Sequence, residues 1–187
     1  GNAAEIPAWT ANPVTPNGNM SQQGVTDSSG NLWFVTDDGV VQKVADGNPD
    51  PAHVPTDGTG IGTGVLTTIP GISGAAGEYV SKPIILDVGG QDYMFVAGQN
   101  SATEATMHKI RLSDGNRQSF SSLTGGSEKL KGLSEHNGKI YFAYSTTNAN
   151  SRGGIARLNT AGGMSLDTSF SGNGRLLLQN GRDFGIT

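Results

Sequence analysis

The chain has no cysteine, which excludes disulfides, thiolate nucleophiles and cysteine-ligated metals. Charge is also scarce: 15% of its 187 residues, with a net charge of −4. Nucleic-acid binding needs Lys and Arg clustered on one face. The densest local group, Lys129-Leu130-Lys131, is too short to supply that. No apolar run approaches the roughly 20 residues of a helical membrane span. No signal-peptide pattern is present, although a mature chain would already have lost one. Helix formers are few, and 29 glycines with abundant Ser, Thr and Asn stand in their place. Short strands joined by turns have this composition. Hydrophobic residues make up only 34%. Disorder goes with high net charge and no regular apolar runs, and neither is seen. The length suits one sizeable core or two small domains.

The stretch Thr26 to Asp46, TDSSGNLWFVTDDGVVQKVAD, sets the pattern. Asp27-Ser28-Ser29-Gly30 is turn chemistry, in which Gly supplies positive φ and Asp or Ser bonds the local backbone. Leu32 to Val35 is a short run of strand formers. Asp37-Asp38-Gly39 is an Asp-Gly hairpin turn, and Val40, Val41 and Val44 begin the next strand. Two later stretches imitate this meander. The first unit runs from about Gln22 to Gly58, the second from Val80 to Leu123, the third from Leu130 to Leu178.

Each unit opens with a strand (GVT, PIIL, GLS) and a Gly-bearing turn (SSGN, VGGQ, HNGK). An aromatic strand follows (LWFV, YMFV, IYFA), starting at Leu32, Tyr93 and Ile140. A third strand then ends in a cation, an aliphatic residue and a turn, at Lys43, Arg111 and Arg157. Self-similarity at roughly 45–60 residues in four-stranded units predicts a β-propeller. The expected fold is all-β: about three four-stranded blades over residues 21–187, plus the start of a fourth at Arg182–Thr187. Residues 1–20, with Pro7, Pro13 and Pro16 around Trp9, read as an extended arm, because prolines so spaced exclude helix and central strand. Asn19-Met20-Ser21 is a formal glycosylation sequon. Propellers close with about four to eight blades. The chain is therefore expected to be part of a larger ring, completed by the remainder of the same protein or by a partner chain. A four-bladed ring that borrows the arm is the alternative.

TDSSGNLWFVTDDGVV resembles the blade repeat of two-component-regulator-type and streptogramin-lyase-type propellers, with its D-x-x-G-x-L-W-F-x-T core. Ile110 to Phe120, IRLSDGNRQSF, looks like the blade-closing turn of quinoprotein-like propellers, ending in Phe where those usually carry Trp. Leu166 to Leu176, LDTSFSGNGRL, resembles a repeat of bacterial surface propellers. These resemblances imply a bacterial propeller, in an extracellular, cell-surface or periplasmic setting. A streptogramin-lyase-like enzyme would use a catalytic His with a divalent metal, which leaves His108 and Glu104 as the candidates here.

Asp46, Asn48, Asp50 and Asp57 place oxygen ligands at positions 1, 3, 5 and 12 of a loop, as a calcium-binding loop does. Pro51 at position 6, Asp at position 12 and the missing helices depart from the helix-loop-helix pattern, and an Asp/Asn/Pro-rich loop between blade strands is the plainer reading of the segment. Asp57 to Gly64 is glycine-rich, but it lacks the Lys and the following helix of a phosphate loop, and Val65 to Ile69 reads as strand. His53, His108 and His136 have no metal-ligand spacing. There is no Gly-x-Ser-x-Gly. Trp33, Phe34, Phe95, Tyr141 and Phe142 are expected to pack between blades, and the three cations to pair with acids on adjacent strands. Function in a propeller sits on loops at the ring faces; here those are Asp46–Gly64, Gln99–Thr106 and Ser145–Gly153.

The functional expectation is a non-enzymatic extracellular or cell-surface module for ligand binding or assembly, stabilised by Ca²⁺, with a surface glycan or a protein as partner. The alternative is a propeller enzyme, a lyase or a quinoprotein-like dehydrogenase, whose active site is completed by further blades. A sensor domain is a third reading, which no transmembrane or kinase segment supports.

Overall fold

The computed structural model describes residues 24–45, 48–49, 65–100, 105–121, 128–146 and 153–177. They contain no helix, only strands and turns. The strands form three antiparallel sheets, one for each unit, with the first reaching past Gly58 to take in Val65–Thr68. The first contains β1 (Val25–Thr26), β2 (Leu32–Val35), β3 (Val40–Ala45), β4 (Asn48–Pro49) and β5 (Val65–Thr68). The second contains β6 (Tyr79–Val80), β7 (Ile84–Asp87), β8 (Asp92–Gln99), β9 (Thr106–Arg111) and β10 (Arg117–Phe120). The third contains β11 (Glu128–His136), β12 (Lys139–Thr146), β13 (Gly154–Asn159), β14 (Ser165–Leu166) and β15 (Arg175–Leu177).

Each sheet is a four-stranded meander in which one strand is broken. In the first, β4 and β5 both pair with β3 and share the outermost position. In the third, β14 and β15 share the place beside β13. In the second the break falls on the first strand, where β6 and β7 both pair with β8. Insertions at different points of the same plan explain the irregular spacing of the repeats. The first strands lie side by side, β1 against β7 and β7 against β11, as the inner strands of blades do around an axis. The fold is β-propeller-like.

The turns follow the residues that predicted them. Gly30 and Gly39 hold φ of 83° and 80°, left-handed values at which a side chain is strained. At Gly39 a Cβ would also meet Ile72 Cβ at 3.1 Å and Ile69 Cβ at 3.2 Å. The Ile110–Phe120 segment turns a hairpin in which Ile110 pairs with Arg117, and its end Phe120 pairs with the preceding Met107.

The core lies between sheets. Trp33, Val35 and Val41 of the first pack against Met94, Val96, Ile110 and Leu112 of the second. On the second sheet's other side, Phe95, Ala97 and Met107 pack against Ile140, Phe142, Tyr144, Ala156 and Leu158 of the third. Strand alternation makes this two-sided burial possible, because successive residues face opposite neighbours. Polar bonds fasten the same junctions. Arg117 Nη1 donates to Thr68 O at 2.8 Å, and Leu130 N donates to Gln99 Oε1 at 2.9 Å. The buried Lys109 Nζ donates to Thr160 O at 2.7 Å and to Gly162 O at 3.1 Å, and sits 4.3 Å from the Tyr93 ring centroid.

The sequence alignment of the aromatic strands requires one correction. Trp33 pairs across the sheet with Lys43, Tyr93 with Arg111, and Tyr141 with Arg157. The equivalent residues are therefore Trp33, Tyr93 and Tyr141, which shifts the second unit by one. The place of Leu32 and Ile140 is taken there by Asp92, and its polarity concealed the match. A slip of one residue reverses the side that every residue faces.

Trp33 is 1% exposed at the first junction, and its indole donates to Asp27 Oδ2 at 2.9 Å. Trp33→Ala is expected to cost about 3–5 kcal/mol, as truncation of a large core aromatic does, measured by urea unfolding of the two proteins.

Candidate functional site

Where the first two sheets meet, the β1–β2 turn faces the start of β8 across a pocket of about 370 Å³. Asp27, Ser28, Asn31, Trp33, Lys43 and Asp92 are among its lining. The turn is built around the Asp27 carboxylate. Oδ1 accepts from Ser29 N at 3.0 Å and Asn31 N at 2.9 Å, while Oδ2 accepts from Asn31 Nδ2 at 2.8 Å and Trp33 Nε1 at 2.9 Å. Partial burial pushes this carboxyl upward, but the Trp33 and Asn31 donors outweigh it and hold the group below its usual range. Asp27 is thus an ionised anchor, unsuited to donating a proton.

Asp92 closes the pocket from the second sheet. Its Oδ2 accepts from Ser28 N at 2.9 Å and Ser28 Oγ at 2.6 Å. Both bonds fall on one oxygen, so Oδ1 remains as an acceptor for an incoming donor. The wall offers carboxylate, hydroxyl, carboxamide and ammonium groups beside an indole, a set suited to a small ligand with several hydroxyls. Sequence reasoning missed Asp92. The available signal was an acid in the ladder place of Leu32 and Ile140, visible only in the corrected register.

The other candidates are dispersed. Asp46, Asp50 and Asp57 of the calcium loop lie outside the described residues, as do Glu104 and His53. Asn48 lies on β4, paired with Ala45. Among the described residues no three His, Asp or Glu side chains are grouped to hold a metal. His136 is exposed at the end of β11, its Nε2 3.1 Å from Asn137 Nδ2. His108 does not line a channel. It is 4% exposed between the first two sheets, and its Nδ1 is 3.0 Å from Ser119 Oγ. Burial, with the nearby Arg117 charge, lowers its pKa from 6.5 to about 4. A buried neutral imidazole on a third strand cannot serve the lyase-type role expected of it.

Trp33, Phe95 and Phe142 are buried between sheets as expected, while Phe34 and Tyr141 are half-buried outside the two junctions. Two of the cations find acids within their own sheet and not on an adjacent strand. Arg111 donates to Asp114 in the following turn, and Arg157 Nε lies 3.0 Å from Asp167 Oδ2 in the segment after β14. Asp167 also accepts from Ser169 Oγ at 2.7 Å and pairs with Lys139 Nζ at 3.1 Å. The Ser169 hydroxyl and the Lys139 ammonium together hold its carboxyl far below the usual range.

No family model and no curated protein matches the chain. The chain is similar to the solved structure of a novel alpha-L-arabinofuranosidase (CtGH43) from Clostridium thermocellum ATCC 27405, at 16% identity and a TM-score of 0.40. The match covers 83% of this chain and 49% of that one, so this chain spans about half its length. By its description that protein is an enzyme. The expectation of a non-enzymatic binding or assembly module is withdrawn on this finding, which stands nearer to the propeller-enzyme alternative. A likeness of this size transfers no activity and no residue.

The His108 shift has a pH consequence. The unfolded chain, titrating near 6.5, binds this proton more readily than the folded one, near 4. The stability it contributes is therefore complete above pH ~6.5 and is lost as pH falls toward about 4, by an amount on the order of 2–3 kcal/mol. Urea unfolding between pH 7 and 4.5 should show this slope, and His108→Gln should flatten it.

Proposed function

We propose that the chain supplies three blades to a propeller enzyme acting on a hydroxyl-rich, sugar-like substrate. The pocket between the first and second blades holds part of that substrate, and the active site is completed by groups outside the described residues. The pocket's chemistry carries this reading. The Asp92 carboxylate, held on one oxygen by the Ser28 amide and hydroxyl, presents its other oxygen to hydroxyl groups at little reorganisation cost. The first blade is, in our reading, of the regulator and streptogramin-lyase type. Its motif acts as one unit: Asp27 gathers the turn, Gly30 takes the left-handed φ, and Trp33 bonds back to Asp27.

The Trp33 Nε1–H resonance reports on the pocket directly, because that proton is donated to Asp27. Titration with neutral pentoses and hexoses is expected to shift it at millimolar sugar. Asp92→Asn should weaken the response about tenfold, the worth of one hydrogen bond to a charged group. Assay against aryl glycosides of the same sugars should then show turnover. Sugar binding without turnover of any of them overturns the enzyme reading, and an unmoved resonance throughout overturns the pocket.

A further inference from the structure

The β11–β12 hairpin closes on Asn137-Gly138, between the paired His136 and Lys139. Both residues hold left-handed φ, 51° at Asn137 and 71° at Gly138, as a two-residue hairpin turn of this type requires. Glycine after asparagine leaves the way open for the next backbone nitrogen to approach the side-chain carboxamide, because glycine has no Cβ. A Cβ at Gly138 would meet nothing within 4 Å. Glu135, His136, Asn137 and Gly138 are all exposed.

Two side chains flank the tip of this turn. Gly138 N donates to Glu135 Oε1 at 2.7 Å, and His136 Nε2 lies 3.1 Å from Asn137 Nδ2. The carboxylate can take the proton that an attacking Gly138 nitrogen must lose, and the imidazole stands at the nitrogen that must depart. Groups that transfer protons stand at such distances, about 2.6–3.2 Å. The chain supplies its own contrast at Asn173-Gly174. There Gly174 N donates to the Phe170 carbonyl at 2.7 Å, which is no base, and Asn173 Oδ1 accepts from Arg175 N at 3.0 Å. Asn17-Gly18 and Asn180-Gly181 lie outside the described residues.

We propose that Asn137 is a self-modification site, at which the turn converts its own carboxamide to aspartate and isoaspartate. Gly138 N attacks Asn137 Cγ and gives up its proton to Glu135. His136 in its protonated form donates to Nδ2, the Cγ–Nδ2 bond breaks, and ammonia leaves behind a cyclic imide. Water then opens the imide at either carbonyl, and solvent returns the proton from Glu135 to His136. The sum is a carboxamide and water giving a carboxylic acid and ammonia, with no change of oxidation state. Opening at the backbone carbonyl of Asn137 gives isoaspartate, which adds a carbon to the main chain of the turn. The Gly138 carbonyl accepts from Thr160 Oγ1 at 2.9 Å, and Thr160 O in turn receives Lys109. The modified turn is therefore tied to the junction of the second and third sheets.

Incubation of the 187-residue protein at neutral pH, followed by peptide mapping with mass spectrometry, tests this. The peptide carrying Asn137 is expected to gain one mass unit and to separate into aspartate and isoaspartate forms, while the peptide carrying Asn173 stays unchanged. In urea both turns are lost, so Asn137 should convert more slowly than in the folded chain and at a rate similar to Asn173. Glu135→Gln and His136→Gln should each slow the folded reaction by roughly tenfold, less than a positioned acid or base gives in a closed site. Both side chains are exposed, so far-UV circular dichroism should stay unchanged. If either variant does not fold, the unaltered chain still decides, through its folded rate against its rate in urea. Conversion of Asn137 no faster in the folded chain than in urea overturns the proposal, because the turn then protects the carboxamide. So does a folded rate indifferent to both substitutions.

Discussion

The second sheet is buried on both of its sides, and the rest of the molecule depends on that constraint. Met94, Val96 and Ile110 face the first sheet, while Phe95, Ala97 and Met107 face the third. A sheet with one solvated side tolerates polar residues at every second position, whereas a sheet between two others does not. This is why the run YMFV is continuously apolar, and why polar groups at the junctions are bonded. Lys109 shows the rule at its limit. An ammonium at 3% exposure persists because two carbonyls of the third sheet and the Tyr93 ring receive it, which agrees with the general cost of burying unpaired charge.

The candidate pocket arises from one departure within this scheme. Where the first and third units place Leu32 and Ile140, the second places Asp92. A carboxylate there cannot pack into an apolar junction, so the β1–β2 turn meets it with the Ser28 amide and hydroxyl. The junction is polar at that end and apolar further in, around Trp33 and Val96. Trp33 belongs to both regions: its ring fills the core, and its indole N–H anchors Asp27 at the pocket. Stability of the first junction and the shape of the pocket thus share one side chain.

Much of the fold was legible in the sequence. Turn residues bounded short runs of strand formers, and the observed strands fall within a few residues of those runs: Ile84–Asp87, Asp92–Gln99, Thr106–Arg111, Lys139–Thr146 and Gly154–Asn159. The recurring cation after the third strand marked equivalent positions correctly. The breaks in the outer strands of the first and third sheets and in the inner strand of the second were not legible. Each fragment is too short to carry its own periodicity, and pairing with β3, β8 or β13 defines it.

By itself the sequence determined local conformation: where the chain turns, which segments extend, and that one plan occurs three times. Those properties arise from interactions between near neighbours, such as the left-handed φ at Gly30 and Gly39 and the Asp27 carboxylate closing its own turn. Tertiary structure decided the register of the second unit, the burial of His108 as a neutral base, and the meeting of Asp27 with Asp92. Asp92 and Ser28 are far apart along the chain and come within 2.6 Å only when two sheets stack. Such stacking depends on which side each residue faces, and a shift of one position along a strand reverses it.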